Sequence, residues 1–457
     1  MAEPRIVVVG AGPAGVRAAE ALVASGIRPI VIDEGRRDGG QIYRRQPDNF
    51  TRSYHTLYGT EAARAEALHT TFDALKPQID YLPETLVWNI ADGQVWTASG
   101  NRQQTIPFDA LILRTGATDR LMPVKGWHQA GTYSLGGAQV ALKSQGCAIG
   151  SRIVFMGSGA LLYLVATQYV KAGANVAAVL DTSAFSSRVR ALPILLAQPA
   201  VLWNGVALTL ALKRAGVEVH TGIAPVEIEG NDQGVSGIAF DTASGERRSI
   251  ACDAVALGYH LRPETQLADL ARCEFTFDPA TRQWLPVRDR DGRSSVAGVY
   301  LAGDGAKILG ARSAEASGRL AALAALADRG LPADIGEVAI LRGRVAGYAR
   351  FASGLAQAFP WPAEQAARLS DDTIVCRCEA ISAGELRATV RQAGACEANR
   401  AKAFSRVGMG RCQGRYCGHA AAEVIAACAS IPVEQVGRLR GQAPVKPLPI
   451  AIEGEAE

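Results

Sequence analysis

The stretch RIVVVGAGPAGVRAAEALVASGIRPIVIDEG, Arg5 to Gly35, decides the fold. Four apolar residues from Ile6 read as a buried strand that runs into Gly10-Ala11-Gly12-Pro13-Ala14-Gly15, then an alanine-rich helix, then a second apolar strand. Gly10 permits the tight turn, Gly12 lets backbone amides approach a pyrophosphate, and Gly15 lets helix and strand pack closely. Pro13 and Ala14 open the helix whose positive end faces the phosphates. Asp33, twenty-three residues after Gly10, and Glu34 beside it stand where an acid accepts hydrogen bonds from ribose hydroxyls.

About 147 residues later SRIVFMGSGALLYLVATQYVKAGANVAAVLD repeats the layout, so the chain carries two Rossmann-like units. A further strand-and-glycine signal, GVYLAGDGA, appears after the second unit. The expected class is α/β: a two-unit flavoprotein with the second unit inserted in the first, plus a small, mainly helical C-terminal domain. The boundaries expected are 1–120 with 255–330 for the first unit, 121–254 for the second and 331–370 for a helical connector, which Pro360 and Pro362 punctuate and make a bridge rather than a rigid rod. A cysteine-rich domain follows at 371–436, then a tail at 437–457 whose prolines make an extended arm, ordered only by something it binds.

Three features favour FAD in the first unit. DALILRTGA places Thr115 and Gly116 where the chain returns past a flavin. GVYLAGDG places Gly303 and Asp304 just past a strand, where an acid meets the ribityl chain. GGQIYRR, with Gly40 and Gln41, looks like the loop after the ribose acid in flavoproteins of the thioredoxin-reductase type. Val87 completes the candidate set. The second loop, Gly157-Ser158-Gly159-Ala160-Leu161-Leu162, carries leucine for its third glycine. Leu162 would push helix from strand or narrow the crevice, while Asp181 would suit an NAD ribose. A relic fold is favoured over NAD(P) binding. Neither unit holds a redox C-x-x-C or C-x4-C beside the flavin, so disulfide reduction is excluded. Cys147, Cys252 and Cys273 are read as packing.

One residue separates Cys376 from Cys378 and four separate Cys412 from Cys417, with thirty-three residues between the pairs. Four thiolates suit a [2Fe–2S] cluster or a structural zinc; C-x-C is tight for zinc. Glycines 408, 410, 414 and 418 would leave amides free to point at sulfur. Ser382 to Glu385 reads as a capping box, and Cys417 begins a helix whose positive end favours thiolate. Arg411 and Arg415 flank the last pair; their charge would raise a cluster's potential, but both are expected simply in solvent. Cys396 and Cys428 fall outside the pattern.

The 457 residues exceed one ordinary core, and 48% hydrophobic with 20% charged residues is globular composition. A net charge of +4 without basic runs argues against nucleic acid. The N-terminus enters a strand with no signal peptide, no window reaches a membrane span, and clustered cysteines without an export signal mean metal or redox chemistry. A cytoplasmic protein is expected, its slight basic balance permitting loose association with the inner face of the membrane.

CRCE through GMGRCQGRYC resembles the bacterioferritin-associated-ferredoxin type of [2Fe–2S] domain. Attached behind GAGPAG, TGA, GSGxLL and GDG, it resembles the alpha (A) subunit of bacterial heteromeric amino-acid dehydrogenases: octopine and nopaline oxidases, D-hydroxyproline dehydrogenase and hydrogen cyanide synthase. The stretch LYGTEAARAEALHTTFDALKPQIDYLPETLVWN is similar to that type as well. The resemblance implies a separate beta subunit, similar to D-amino-acid and sarcosine oxidases, whose FAD oxidises the C–N bond, and allows a small gamma subunit. It implies FAD or another adenine nucleotide in the first pocket, an FMN at the alpha–beta interface, and electrons leaving through the cluster for a quinone-type acceptor. No residue of this chain is then catalytic. The alternatives are a self-contained NAD(P)H-dependent flavoprotein reductase serving a ferredoxin-like partner and a non-enzymatic iron-sensing or docking module.

Overall fold

The computed structural model describes residues 4–50 and 52–449. Strand β1 (Ile6–Val9), helix α1 (Pro13–Ala24) and strand β2 (Ile30–Ile32) form where the sequence places them. They belong to a five-stranded parallel sheet in the order Val299–Leu301, Ala110–Leu113, β1, β2, Asp80–Leu82. Val299–Leu301 joins this sheet after the second unit has been completed, which is the insertion read from the sequence. The central strands of this sheet are covered on both faces, which explains their unbroken apolar runs. On one side α1 packs with Ala62–Leu75 and Ala311–Asp328; on the other lies an antiparallel sheet of Leu86–Ala91, Gln94–Ser99 and Arg102–Pro107. The packing on α1 is tight: a Cβ on Gly318 would stand 2.0 Å from the Ala14 carbonyl oxygen, so α1 and Ala311–Asp328 touch backbone to backbone.

The second parallel sheet runs Glu218–Thr221, Val176–Asp181, Ile153–Ser158, Ala254–Tyr259, Thr132–Ser134. Ala254–Tyr259, given to the first unit by a boundary at residue 255, pairs instead with Ile153–Ser158. A six-residue apolar strand fits either buried sheet, and nothing in its own sequence says which. One face packs on Ala160–Lys171; Leu162 is fully buried there among Phe155, Val165 and Val179. The other face shares one continuous core with the C-terminal block, from Val154, Met156 and Leu180 to Val375, Leu386, Val424 and Ile425.

The connector differs from the expected bridge. Ile335–Ala358 is one unbroken helix, capped by Asp334, whose carboxylate accepts from the Gly336 and Glu337 amides. Pro360 and Pro362 lie beyond its end and turn the chain into the cysteine block. There the Ser382 capping box forms as expected, starting the helix Ala383–Ala393. Residues 437–449 are extended, and their partner is the chain itself. Arg438 pairs with Asp269 at 2.7 Å, the Val445 amide donates to the Trp88 carbonyl at 3.1 Å, and Lys446 pairs with Glu34. The rest of the tail, 450–457, lies outside the described residues.

Candidate functional site: a glycine cradle joined to a four-cysteine loop

The first glycine turn is built by close backbone approach. Gly10 has φ +102°, and a Cβ there would stand 2.4 Å from the Arg114 carbonyl oxygen. A Cβ on Gly15 would stand 2.1 Å from the Gly10 carbonyl oxygen. The Gly39 amide donates to the Ala11 carbonyl, and Gly40, φ +61°, lies against Gly12. Gly15 and Val16 donate to the Gly12 carbonyl; the Gly12 and Ala14 amides, at the start of α1, find no partner among the described residues. Asp33 accepts from the Ala11 amide and from the Gly35 amide at 2.6 Å, and burial pushes its carboxyl up. Gly303 and Gly305 bring the Asp304 turn against Ala14 and Thr115. One Asp304 oxygen accepts from the Leu309 and Gly310 amides, and burial raises its pKa. Unpartnered amides, small residues where a Cβ would collide, and acids at two corners fit an anionic dinucleotide. A flavin there would take electrons in pairs, and a [2Fe–2S] centre would hold one at a time.

Three expected residues stand apart from this cradle. Glu34 is exposed and paired with Lys446 of the tail. Gln41 is exposed and accepts from Arg44 at 2.6 Å. The Val87 side chain is buried in the apolar core under the sheet, in the cluster that also holds Val445.

The cysteines meet although thirty-three residues separate their pairs. The Cys417 thiol donates toward Cys376 and Cys412, which draws Cys376 down to about 6 and Cys412 to about 5 against the opposing effect of burial. Amides of Gly408 and Glu379 assist at Cys376, and those of Tyr416 and Gly414 at Cys412. Cys417, the donor to both, is pushed well up, and Cys378 is raised first by burial. Two thiols already biased toward thiolate, with amides aimed at them, fit an iron–sulfur donor set. Among the described residues no three His, Cys, Asp or Glu side chains converge as a single-ion site. A two-iron centre asks for two thiolates on each iron rather than four at one point. Cys417 precedes the helix Gly418–Ala429, as its position in the sequence suggests. Cys252 and Cys273 are buried as expected, whereas Cys147 is exposed.

The glycines of the loop have a steric task as well. A Cβ on Gly410 would stand 2.3 Å from the Cys378 Cβ, and one on Gly408 or Gly414 would stand 2.6 or 2.5 Å from Cδ1 of Leu439. Leu439, from the tail, therefore lies over the loop. Arg415 is buried, not solvated: it pairs with Glu264 at 2.7 Å and donates to the Val445 carbonyl at 2.8 Å, while Arg411 is exposed as expected. Arg262 is buried alongside and donates to the Arg415 carbonyl at 3.2 Å. Burial pushes the Glu264 carboxyl up, but Arg262 and Arg415 outweigh it and hold it below the usual range. Glu264 in turn touches the first unit: its amide donates to the Gly116 carbonyl at 3.0 Å, and the Thr115 hydroxyl donates to its carbonyl. The path Thr115–Glu264–Arg415–Cys412 joins the two sites through direct bonds, the last from Arg415 Nη1 to the Cys412 carbonyl at 3.3 Å. No motif marks Glu264, Arg262 or Leu439; their roles come from contacts across long separations.

The second glycine loop is occupied by its own chain. Asp181, fully buried, accepts from Arg188 at 2.6 Å, from the Tyr163 hydroxyl at 2.9 Å and from the Ser183 amide at 2.7 Å. A Cβ on Gly159 would stand 3.1 Å from Nδ1 of His260. The other nitrogen of His260 bonds the Phe359 carbonyl at 2.6 Å, and Arg188 lies over the Tyr163 and Phe359 rings.

Residues 4–324 match the family described as pyridine nucleotide-disulphide oxidoreductase, and residues 374–427 match the BFD-like [2Fe-2S] binding domain. The A subunit of opine oxidase from Rhizobium meliloti is 37% identical, over 98% of this chain and 86% of its own. Hydrogen cyanide synthase subunit HcnB of Pseudomonas aeruginosa is 31% identical, over 98% and 97%. Among solved structures, L-proline dehydrogenase from P. horikoshii shares the fold with a TM-score of 0.72 at 18% identity, covering 98% of this chain and 79% of that one. A thioredoxin reductase from T. acidophilum matches with a TM-score of 0.53 at 21% identity, over 71% of this chain and 98% of its own. The chain belongs to the pyridine nucleotide-disulphide oxidoreductase family and, within it, to the group of opine oxidase A subunits, as part of an oxidoreductase and with a BFD-like [2Fe-2S] domain of its own.

Proposed function

We propose that this chain is the electron-transfer subunit of a heteromeric dehydrogenase that oxidises the C–N bond of an amino acid or opine, of the octopine, nopaline or D-hydroxyproline class. Substrate oxidation belongs to FAD on a partner of the D-amino-acid and sarcosine oxidase type, and a quinone-type acceptor receives the electrons. The observation that carries this reading is the contrast between the two glycine loops. The first is bonded through Glu264 and Arg415 to the cysteine loop, whereas the second has its ribose acid and its crevice taken up by Arg188, Tyr163, His260 and Phe359. The contrast supports a route for electrons inside the chain and speaks against a nicotinamide entrance at the second loop.

In this reading Gly10, Gly12, Gly15, Asp33 and Asp304 hold FAD or another adenine nucleotide, and Cys376, Cys378, Cys412 and Cys417 hold a [2Fe–2S] cluster. Leu439 of the tail packs against Gly408 and Gly414 of the cysteine loop, while Cys378 stays exposed. An FMN would sit where this chain meets its partner. The names of its relatives, each a subunit, support an assembly. So does an apolar face on the helices Phe185–Leu195 and Pro199–Arg214, where Phe185, Val189, Leu192, Leu196, Trp203 and Leu210 are exposed. A monomer rarely leaves so much apolar surface bare, and we assign this face to the partner subunit. Among the described residues no helix is long and apolar enough to cross a membrane. We place the complex in the cytoplasm, meeting the quinone at the inner face of the membrane.

The test is co-expression with a partner of that type, assaying dye reduction by octopine, nopaline and D-hydroxyproline. Dye reduction is expected only when both chains are present. Leu192→Asp should lose the partner on gel filtration while retaining its iron. Reduction of dye by substrate with this chain alone would overturn the reading.

A further inference from the structure

We propose that Arg114 is the countercharge for the phosphates of the nucleotide held at the first glycine turn, and that it sets which nucleotides this pocket retains. The inference rests on the reading that this turn holds an adenine nucleotide.

Arg114 follows the strand Ala110–Leu113, whose last residue is in register with Val9, so Arg114 comes to stand beside Gly10. Two residues beyond Ile112, it points to the same side of the sheet, toward α1. Its guanidinium reaches the elbow of the turn: a Cβ on Gly15 would stand 2.5 Å from its Nη1. The third glycine therefore makes room for this side chain as well as for close strand–helix packing. The residue is 5% exposed, and none of Nε, Nη1 or Nη2 has a hydrogen-bond partner among the described residues.

That arrangement is costly for the protein alone. A buried ion without a partner keeps its full desolvation penalty. The start of α1 adds its own positive end, with the Gly12 and Ala14 amides unpartnered among the described residues. Asp33 is the opposite charge that Arg114 feels, and its carboxylate is already engaged by the Ala11 and Gly35 amides. Burial draws the Arg114 pKa down to about 9, which leaves the charge in place at neutral pH. Positive charge is thus concentrated at one point, and Asp33 offsets it only in part. A pyrophosphate laid across the turn supplies the rest of that neutralisation; a nucleoside without phosphate does not.

The experiment uses the full chain stripped of nucleotide, with Arg114→Met and Arg114→Lys beside it. Binding of FAD, ADP and adenosine is measured by calorimetry, and thermal unfolding is followed with and without ADP. In Arg114→Met we expect FAD and ADP to bind weaker by about tenfold or more while adenosine is unchanged, since only a phosphate partner is lost. Arg114→Lys should recover part of the difference. Stripped Arg114→Met should melt no lower than the stripped wild type, and should gain less from ADP. Equal losses for ADP and adenosine, or no loss for either, would overturn the proposal. If Arg114→Met does not fold, Arg114→Lys decides: weaker binding of ADP with adenosine unchanged agrees with the proposal, and ADP and adenosine both unchanged, or weakened equally, overturns it. Failure of wild type to bind FAD or ADP at all would instead remove the reading of the pocket on which the proposal stands.

Discussion

Glu264 sits between two buried arginines, bonded directly to Thr115 and Gly116 of the first site and through Arg415 to Cys412 of the second. Removing its charge leaves Arg262 and Arg415 uncompensated beside Cys412, since Glu264 is what holds that pair neutral in part. Breaking a buried pair from one side is the expensive direction, so Glu264→Gln should lower stability by about 3 kcal/mol, read from denaturant unfolding. The added positive charge favours the reduced form of a neighbouring cluster. A redox titration followed by electron paramagnetic resonance should therefore find a higher midpoint potential; an unchanged or lower one would contradict the assigned role. At this scale the sequence is legible where the chemistry repeats in a fixed pattern. The four cysteines, the three glycines and Asp33 are all local signals. Arg415 looks solvated in the sequence because its partner lies 151 residues away. Arg114 offers no local sign at all; only its position beside Gly10 and Gly15 makes it notable.

The tail is held as an element by a charge latch. Asp269 accepts from Arg438 through both oxygens and from the Gly441 amide, and these outweigh burial to hold its pKa below the ordinary 3.8. A carboxylate with a depressed folded pKa stabilises fully above its unfolded value and loses that contribution as pH falls through the folded one. Protection from hydrogen exchange over 438–446, taken relative to the intrinsic rate at each pH, should therefore be high at neutral pH and fall below about pH 4. Asp269→Asn should show the lowered protection already at neutral pH, with about 2 kcal/mol lost. If protection there ignores both the substitution and the pH, the latch is not what orders the tail. The sequence alone suggests an arm awaiting a ligand, because three prolines and no apolar period say only that the segment is extended. Which surface it lies on is decided by Asp269, Trp88 and Leu439 jointly. Ala254–Tyr259 teaches the same lesson: its strand character is legible, its sheet is not. Ile335–Ala358 reads as helix from its composition, but its length depends on Pro360 lying just past its end.

At the scale of the whole molecule, the duplication is plain in the sequence and the unequal fates of its two copies are only half visible. Leu162 marks the second loop as altered, and its side chain is fully buried in the core. The decisive features are elsewhere: Asp181 has been drawn into an internal network, and the chain after the long connector helix covers the crevice. The first copy instead faces the cysteine loop across Glu264. Electrons are accordingly expected to enter from a partner and leave through the cysteine site, with nicotinamide playing no part. The most direct measurement is an anaerobic titration of the purified full chain with NADH and then NADPH, followed by dithionite, watching visible absorption and the paramagnetic signal of a reduced cluster. No reduction by either nucleotide and full reduction by dithionite are expected. Stoichiometric reduction by NADH or NADPH would contradict this and make the chain a reductase complete in itself.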